Sequence, residues 1–432
     1  MKLPDEVKYI ISALRKQGFP AYTVGGCVRD SLLGAEPHDW DVATGTTPRG
    51  MREVFAGHTL LDTGERFGTL TLLLNGKPFE LTAFRKEGRY SDARHPDEVV
   101  FHAGLLEDLS RRDFTMNAMA FAPEEGLIDP FGGRDDLKKR VIRCVGRPQE
   151  RFGEDPLRIL RAARFAFALG FEIEPETRKA MSGQKNLLPS LSAERIREEL
   201  SAILTRNKSG RSYLEIADLL RVIIPGLDEC FSCPQNRGED GYSAGEHLLE
   251  SARLTEPLLP LRLAALLHDI GKPRCPGLSR HAEVSAGMAG EILRGLKFSR
   301  SLAEQAERLI LYHHAELAPQ PPLLRKLLSQ VGKQSARDLF SLREADLRAQ
   351  KPPIPVDRQH EEAARILRQI ICNGECFSLE RLAVDGEDLL ALGFAQGPEL
   401  GRVLRRLLDL VLEDPGLNDK ERLLALAREQ KL

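Results

Sequence analysis

The sequence contains no run of eighteen apolar residues, so it offers no membrane-spanning helix. It has no internal repeat and no low-complexity segment, which sets aside repeat architectures. Cysteine is sparse: there are seven, an odd number at irregular positions, which fits free thiols in a reducing cytoplasm rather than a disulfide framework. Cys230 and Cys233 have ligand spacing, but no second pair joins them, so they read as loop thiols rather than a zinc or redox pair. Neither sign of charge dominates: the net charge is −2, and any nucleic-acid contact must come from local patches. The opening residues, Met1 to Glu6, are charged and run into a helical pattern, so no signal peptide is expected. A length of 432 residues allows about three domains; nothing in the sequence specifies an oligomeric state.

Against these absences one stretch stands out: Thr23-Val24-Gly25-Gly26-Cys27-Val28-Arg29-Asp30, followed by His38-Asp39-Trp40-Asp41-Val42. It reads as a strand, a tight glycine turn, a helix start and a second strand. Adjacent glycines let the backbone turn sharply and approach a ligand. Backbone N–H groups at such a turn suit a polyphosphate. Residues two apart on a strand share a face, so Asp39 and Asp41 converge while Trp40 points to the core. Two hard carboxylates beside a phosphate cradle suit Mg²⁺, and paired ions of that kind activate a hydroxyl and stabilise leaving pyrophosphate.

Around this motif, residues 4–17 carry Val7, Ile10, Ile11 and Leu14 at helical spacing, with Asp5 as cap and Gly18 as stop. Pro48 suits the start of another helix. Residues 68–74 and 79–85 read as strands joined by the turn Asn75-Gly76. Residues 85–101 are charged and aperiodic, as in a mobile loop. In Leu109-Ser110-Arg111-Arg112-Asp113-Phe114-Thr115-Met116-Asn117, the arginines suit triphosphate oxygens, Asp113 suits a sugar hydroxyl, and Asn117 can donate or accept.

Residues 134–151 are locally basic, and Lys138, Lys139 and Arg140 form the best candidate path for an RNA backbone. Glu154-Asp155-Pro156-Leu157-Arg158-Ile159-Leu160-Arg161 opens a helix. Asp155 and Arg158, three apart, can share a face. An acceptor beside a donor matches the edges of cytosine and adenine and rejects guanine and uracil, so this pair can select CTP and ATP without a template. Arg161, one turn on, can reach base or phosphate. Pro225 to Glu246 is rich in turn formers and reads as a linker. Gln350-Lys351-Pro352-Pro353-Ile354-Pro355 reads as a stiff one.

The glycine–carboxylate motif, the Arg-Arg-Asp segment and the Glu-Asp-x-x-Arg segment together resemble the class II tRNA nucleotidyltransferase and bacterial poly(A) polymerase family of polymerase-beta-like nucleotidyltransferases. The resemblance covers nearly the whole chain. It implies an α+β fold: a mixed-sheet head with helices, then an all-α neck, a further domain and a tail. It also implies C and A addition to the 3′ end of tRNA, with Asp39, Asp41 and Glu80 catalytic. Gly25, Gly26, Arg29, Arg112, Asp113, Asn117, Asp155, Arg158 and Arg161 would bind nucleotide. Loop 85–101 would help switch to the terminal A. A poly(A) polymerase commonly carries Gly-Arg-Arg-Phe where this chain has Gly64-Glu65-Arg66-Phe67; an enzyme adding A alone is not excluded by the motifs.

Five of the ten histidines cluster late in the sequence. Leu263 to Pro273, ending in His268-Asp269, resembles the HD phosphohydrolase superfamily. That resemblance implies a divalent transition-metal site of His247, His268, Asp269 and Asp346, with His281 and His313 (or His314) completing a second position, and hydrolysis of a phosphoester. A chain that is chiefly a phosphohydrolase is therefore the reading from a different class. The expected domains are 1–133 (head), 134–235 (neck), 236–350 (HD) and 351–432 (RNA-binding tail).

Overall fold

The computed structural model describes residues 1–87, 99–101, 104–235, 242–275 and 280–430. The chain gathers into two compact units, one of Met1–Arg211 with Asp218–Ile223, the other of Ser212–Ala217 with Ile224–Leu432. The fold class is the expected one, but head and neck form one unit, and the later helices form the other.

The first unit is built on a mixed sheet. Its strands are β1 (Ala21–Val24), β2 (Asp41–Thr44), β3 (Thr59–Gly64), β4 (Thr69–Leu74) and β5 (Lys77–Ala83), with β8 (Ala120–Ala122) and β9 (Gly126–Ile128). The order is β3-β4-β5-β2-β1-β8-β9. Only β2 and β5 run parallel; the other neighbours are antiparallel. The helix Asp5–Lys16 buries Val7, Ile10, Ile11 and Leu14 on one face of the sheet. Asp5 is not its cap: Pro4 takes that place, and Asp5 is the first helical residue, paired with Lys8 at 2.8 Å. Strand alternation divides the residues as physics requires. Val42, Leu70, Leu72 and Leu81 join the core under that helix, and Trp40 packs beside them. Ala43, one residue on, joins the opposite face with Tyr22, Val24 and Ala120.

The β4–β5 turn has φ of 51° at Asn75 and 75° at Gly76, the left-handed pair that matches the twist of a two-residue hairpin. The expected loop 85–101 departs from its reading at both ends. β6 (Arg85–Glu87) pairs antiparallel with β7 (Val99–Phe101), as a β-branched and aromatic run favours; 88–98 lie outside the described residues. Helices 148–154, 157–169, 175–184 and 193–205 complete the unit.

The second unit is helical among the described residues. The stretch expected as a linker, Pro225 to Glu246, contains the short helix Leu227–Phe231 and the start of Ala244–Leu254. That second helix is fixed by a capping box, with Ser243 Oγ accepting from the Glu246 amide and Glu246 accepting from Ser243. The tail is not separate. Arg325, buried on the helix Pro321–Val331, donates to the carbonyls of Leu412 and Glu413 and to Glu375.

Candidate functional site

Gly25 ends β1 with φ +75°, a left-handed conformation that favours glycine. A Cβ there would lie 2.9 Å from Arg112 Nη1 and 4.0 Å from Asp41 Oδ2. The bare backbone is what lets a guanidinium and a carboxylate close on the same turn.

The carboxylates gather as the alternation argument requires, with one exception. Asp41 opens β2 and lies directly beside Glu80 in the parallel register. Asp39 precedes the strand and is exposed, so no pleat fixes it. Its charge still reaches Asp41. Burial, then Glu80, pushes the Asp41 carboxyl up to about 6; Arg112 opposes this and Asp39 adds to it. A half-buried carboxylate crowded by two others has surplus negative charge. That donor set, hard oxygen around an uncompensated charge, fits a divalent cation.

The Arg-Arg-Asp segment is held from within. Fully buried Asp108 accepts from Arg111 Nε at 3.1 Å and Nη2 at 2.8 Å, and from Arg112 Nη2 at 3.0 Å. Burial opposes the Asp108 charge, but the two guanidiniums outweigh it and lower its pKa. Arg112 Nε is buried without a hydrogen-bond partner, a donor left over for a ligand.

Asp113 departs from the expected contact with a sugar. Its oxygens are already taken: Oδ1 accepts from the Phe114 amide at 2.8 Å and Asn117 Nδ2 at 3.0 Å, and Oδ2 from Arg161 Nε at 2.8 Å and Nη2 at 2.7 Å. Burial alone would raise its pKa; Arg161, Asn117 and the Phe114 amide bring it down to about 2. Asn117 Oδ1 in turn accepts from Arg29 Nη1 at 2.8 Å. Arg29, Arg161 and Arg164 stand 5.1, 5.6 and 4.2 Å from the ring centre of Phe165. Asp113 is thus the hub that orients Arg161 and, through Asn117, Arg29.

Asp155 and Arg158 both line the cleft but do not bond each other. Arg195 Nη2 reaches both Asp155 oxygens, at 3.1 and 2.9 Å, and the Leu157 amide caps Oδ1. Buried Arg158 donates to Glu154 at 2.8 Å and to the carbonyls of Arg151 and Arg111. The cleft, about 430 Å³, is lined by Gly25, Gly26, Arg29, Asp41, Arg112, Asp113, Asn117, Asp155, Arg158 and Arg161, a single cavity for the nucleotide set. Arg111, one of the two arginines read for the triphosphate, lines the cleft as well. Two further members, Phe165 and Arg195, went unread in the sequence; no local pattern links Arg195 to a residue forty positions earlier.

In the basic stretch, Lys138, Lys139 and Arg140 are exposed. Lys138 pairs with Asp135 at 3.3 Å, and Arg140 donates to the Leu169 carbonyl and lies 5.4 Å from the Phe171 ring centre.

In the second unit the late histidines converge on Asp269. Its Oδ2 lies 3.3 Å from His268 Nε2 and 3.9 Å from His247 Nε2; its Oδ1 lies 3.3 Å from His281 Nε2 and 3.8 Å from His313 Nε2. His247 Nε2 is 3.0 Å from Asp346 Oδ1. Two ligand groups result, His247–His268–Asp346 and His281–His313–His314, with His314 joining His313 rather than replacing it. The rings are pre-set for metal. Nδ1 of His268 and His313 donates to the Ala265 and Ile310 carbonyls, at 2.8 and 2.6 Å, and His247 Nδ1 faces the Ala349 carbonyl at 3.5 Å. That leaves the Nε2 lone pairs facing inward. Burial pushes His313 down to about 3, so it stays neutral. Asp269 Oδ1 and His313 Nε2 are buried without hydrogen-bond partners, which a metal ion would satisfy. Lys272 Nζ, 2.5 Å from Asp269 Oδ2, partly offsets the carboxylate.

Three family models match: a poly A polymerase head domain over 21–143, a probable RNA and SrmB-binding site of polymerase A over 170–231, and an HD domain over 244–347. The CCA-adding enzyme of Limosilactobacillus fermentum is 35% identical over 98% of this chain and 96% of its own. That of Geobacillus stearothermophilus is 32% identical over 100% and 98%. Among solved structures, the Bacillus stearothermophilus CCA-adding enzyme in complex with CTP superposes with a TM-score of 0.75 at 29% identity, covering 100% of this chain and 98% of that one. The Thermotoga maritima CCA-adding enzyme complexed with tRNA, at 21% identity and a TM-score of 0.64, shares the fold. Carboxylates at a glycine turn, arginines around one cleft and full-length similarity agree: this chain belongs to the CCA-adding enzyme family.

Proposed function

We propose that the first unit adds C and A, without a template, to the 3′ end of tRNA, using CTP and ATP and releasing pyrophosphate. The observation that carries this is the single cleft shared by the Gly25–Gly26 turn, Asp41, the arginines and the Asp155–Arg158 segment. Asp39 and Asp41, with Glu80 beside them, would hold Mg²⁺, which when bound supplies Lewis-acid activation of the tRNA 3′ hydroxyl and neutralises charge on the departing pyrophosphate. Arg112 and Arg29 orient the triphosphate, the first through its spare Nε and the second through its anchor on Asn117. Asp155 presents an acceptor and Arg158 a donor to the base edge, and Arg161 is steadied by Asp113. Lys138, Lys139 and Arg140 offer charge to the tRNA backbone. The cytoplasm, where tRNA is matured, is the compartment this reading implies.

The test uses tRNA transcripts ending before CCA, after CC, and complete, incubated with Mg²⁺ and labelled CTP, ATP or both. Two C and one A, then a stop, is the expected result. A alone onto the CC-ended transcript, or long A tails on unrelated RNA, would refute it. Asp41→Ala should abolish incorporation; if transfer survives, the carboxylate assignment is wrong.

A second reading is favoured by the convergence of four histidines on Asp269, with His314 beside them: the second unit is a phosphohydrolase. His247, His268, Asp269 and Asp346 would hold one divalent transition metal, and Asp269 with His281, His313 and His314 another. Metal bound there would supply an activated water for phosphoester hydrolysis.

A further inference from the structure

Phe165 is the one aromatic side chain lining the nucleotide cleft among the described residues, and three guanidiniums surround its ring. It stands on the helix Leu157–Leu169 and is 5% exposed. Arg161, four residues earlier, shares its helical face; Arg29 reaches it from the helix Gly26–Leu32 at the glycine turn. Like charges this close repel, and each guanidinium has its own carboxylate. Arg29 pairs with Asp30 at 2.7 Å, Arg161 with Asp113 at 2.7 Å and Arg164 with Glu199 at 2.6 Å. The ring is what the three share. It is fixed in turn by Phe114, whose ring meets it edge to face, with centres 5.8 Å apart and planes at 86°. The Phe114 amide also donates to Asp113, so ring and hub are anchored on one residue.

A carboxylate or amide in place of the ring would take up arginine N–H groups. A π face attracts the charge and takes none of them. Arg161 Nη1 carries no hydrogen bond among the described residues, and Arg161 lines the cleft. Arg29 has donors left beyond those to Asn117 and Asp30.

We propose that Phe165 is a positioning residue for nucleotidyl transfer: its ring sets the separation between Arg29, at the triphosphate end of the cleft, and Arg161, beside the base-selecting pair, with donors of both left for the nucleotide. This rests on the nucleotidyltransferase reading of the cleft. A ligand that spans both ends gains from a fixed separation; one that fills a single end does not. The ring therefore favours a whole nucleoside triphosphate over its pyrophosphate part. It serves CTP and ATP alike, and leaves the choice of base to Asp155 and Arg158.

The test is equilibrium dialysis of the full chain against labelled CTP, ATP and pyrophosphate, each with Mg²⁺, alongside extension of the CC-ended tRNA. Phe165→Leu removes the ring and keeps apolar bulk. It should weaken CTP and ATP about tenfold or more, the scale of two cations losing a ring, and pyrophosphate by no more than about threefold. The KM for ATP should rise with kcat less affected, and the ratio of correct to wrong incorporation should hold. Phe165→Met, closer to the original volume but without a π face, should behave as Phe165→Leu and serves if that variant does not fold. Phe165→Tyr keeps the ring and should bind within about twofold of wild type. Phe167→Leu, buried on the same helix and outside the cleft lining, controls for lost core volume and should leave all three affinities unchanged. Unchanged nucleotide affinity in both ringless variants, no rescue by tyrosine, equal weakening by Phe167→Leu, or pyrophosphate weakened as much as CTP each overturns the proposal. A wild-type chain that binds both nucleotides but extends no tRNA sinks the nucleotidyltransferase reading, and the variants' affinities still decide the role of the ring. Normal extension with ringless variants that bind like wild type sinks the role of the ring alone.

Discussion

Replacing Asp113 with asparagine tests the hub of the nucleotide cleft while changing almost no volume. The Asp113 pKa falls from 3.8 to about 2 on folding, because Arg161, Asn117 and the Phe114 amide overcome the penalty of burial. At about 1.4 kcal/mol per unit, the folded state gains roughly 2 kcal/mol from this one charge at neutral pH. The sign is that of a depressed carboxylate: the gain is complete above the unfolded pKa near 4 and is lost as pH falls toward 2. Asparagine keeps Oδ1 for Phe114 and Asn117 but turns an amide donor toward Arg161, so the two bonds at 2.8 and 2.7 Å become a donor–donor contact. The chain has a single tryptophan, Trp40, packed in the same unit, so its fluorescence follows this unit's unfolding. With a urea dependence of roughly 2 kcal/mol per molar, Asp113→Asn should lower the midpoint by about 1 M at pH 7, and by progressively less below about pH 4. The same variant should raise the KM for CTP and ATP, because Arg161 loses its anchor. A midpoint shift below about 0.3 M at pH 7, or a shift that does not shrink in acid, would refute the assignment of that charge.

Other substitutions separate the remaining parts. Gly25→Ala forces a side chain into a left-handed residue and against Arg112; kcat/KM for both nucleotides should fall about tenfold or more in primer-extension kinetics while the fold, read by circular dichroism, is kept. Arg195→Met releases Asp155 from its two-oxygen anchor; discrimination against UTP and GTP, measured as misincorporation, should relax about tenfold with Asp155 itself untouched. His268→Ala should lower bound transition metal, measured by elemental mass spectrometry, and leave tRNA extension at the wild-type rate.

The parts of the cleft legible in the sequence were those written in local geometry. Gly25 and Gly26 announced a tight turn, the alternation through Trp40 put Asp41 on the site face, and Asn75-Gly76 announced its hairpin. What was not legible came from pairs that only folding brings together. Arg161 and Asp113 are 48 positions apart, and Arg195 and Asp155 are 40 apart. No periodicity reports which cation a buried carboxylate will choose. That is why Asp113 looked free for a sugar, and why Asp155 and Arg158 looked like a facing pair. The histidine cluster was found through its order along the chain, and its common focus on Asp269 is a tertiary fact. Asp39 shows the opposite limit: the two-residue period is right, but the strand begins at Asp41, two residues later than that argument needs.

The attachment of the tail has a consequence for how the second unit can be cut. Arg325 is 5% exposed, and its bonds are to the Leu412 and Glu413 carbonyls and to Glu375, all beyond the proline-rich stretch that reads as a stiff linker. Cleavage within residues 351–355 would therefore nick the protein without dividing it, and the fragments should elute together. A chain ending at residue 350 would lose all three of those acceptors and the helices 358–372 and 398–413 that pack on the helix Pro321–Val331, so the metal-ligand helices are not a detachable module.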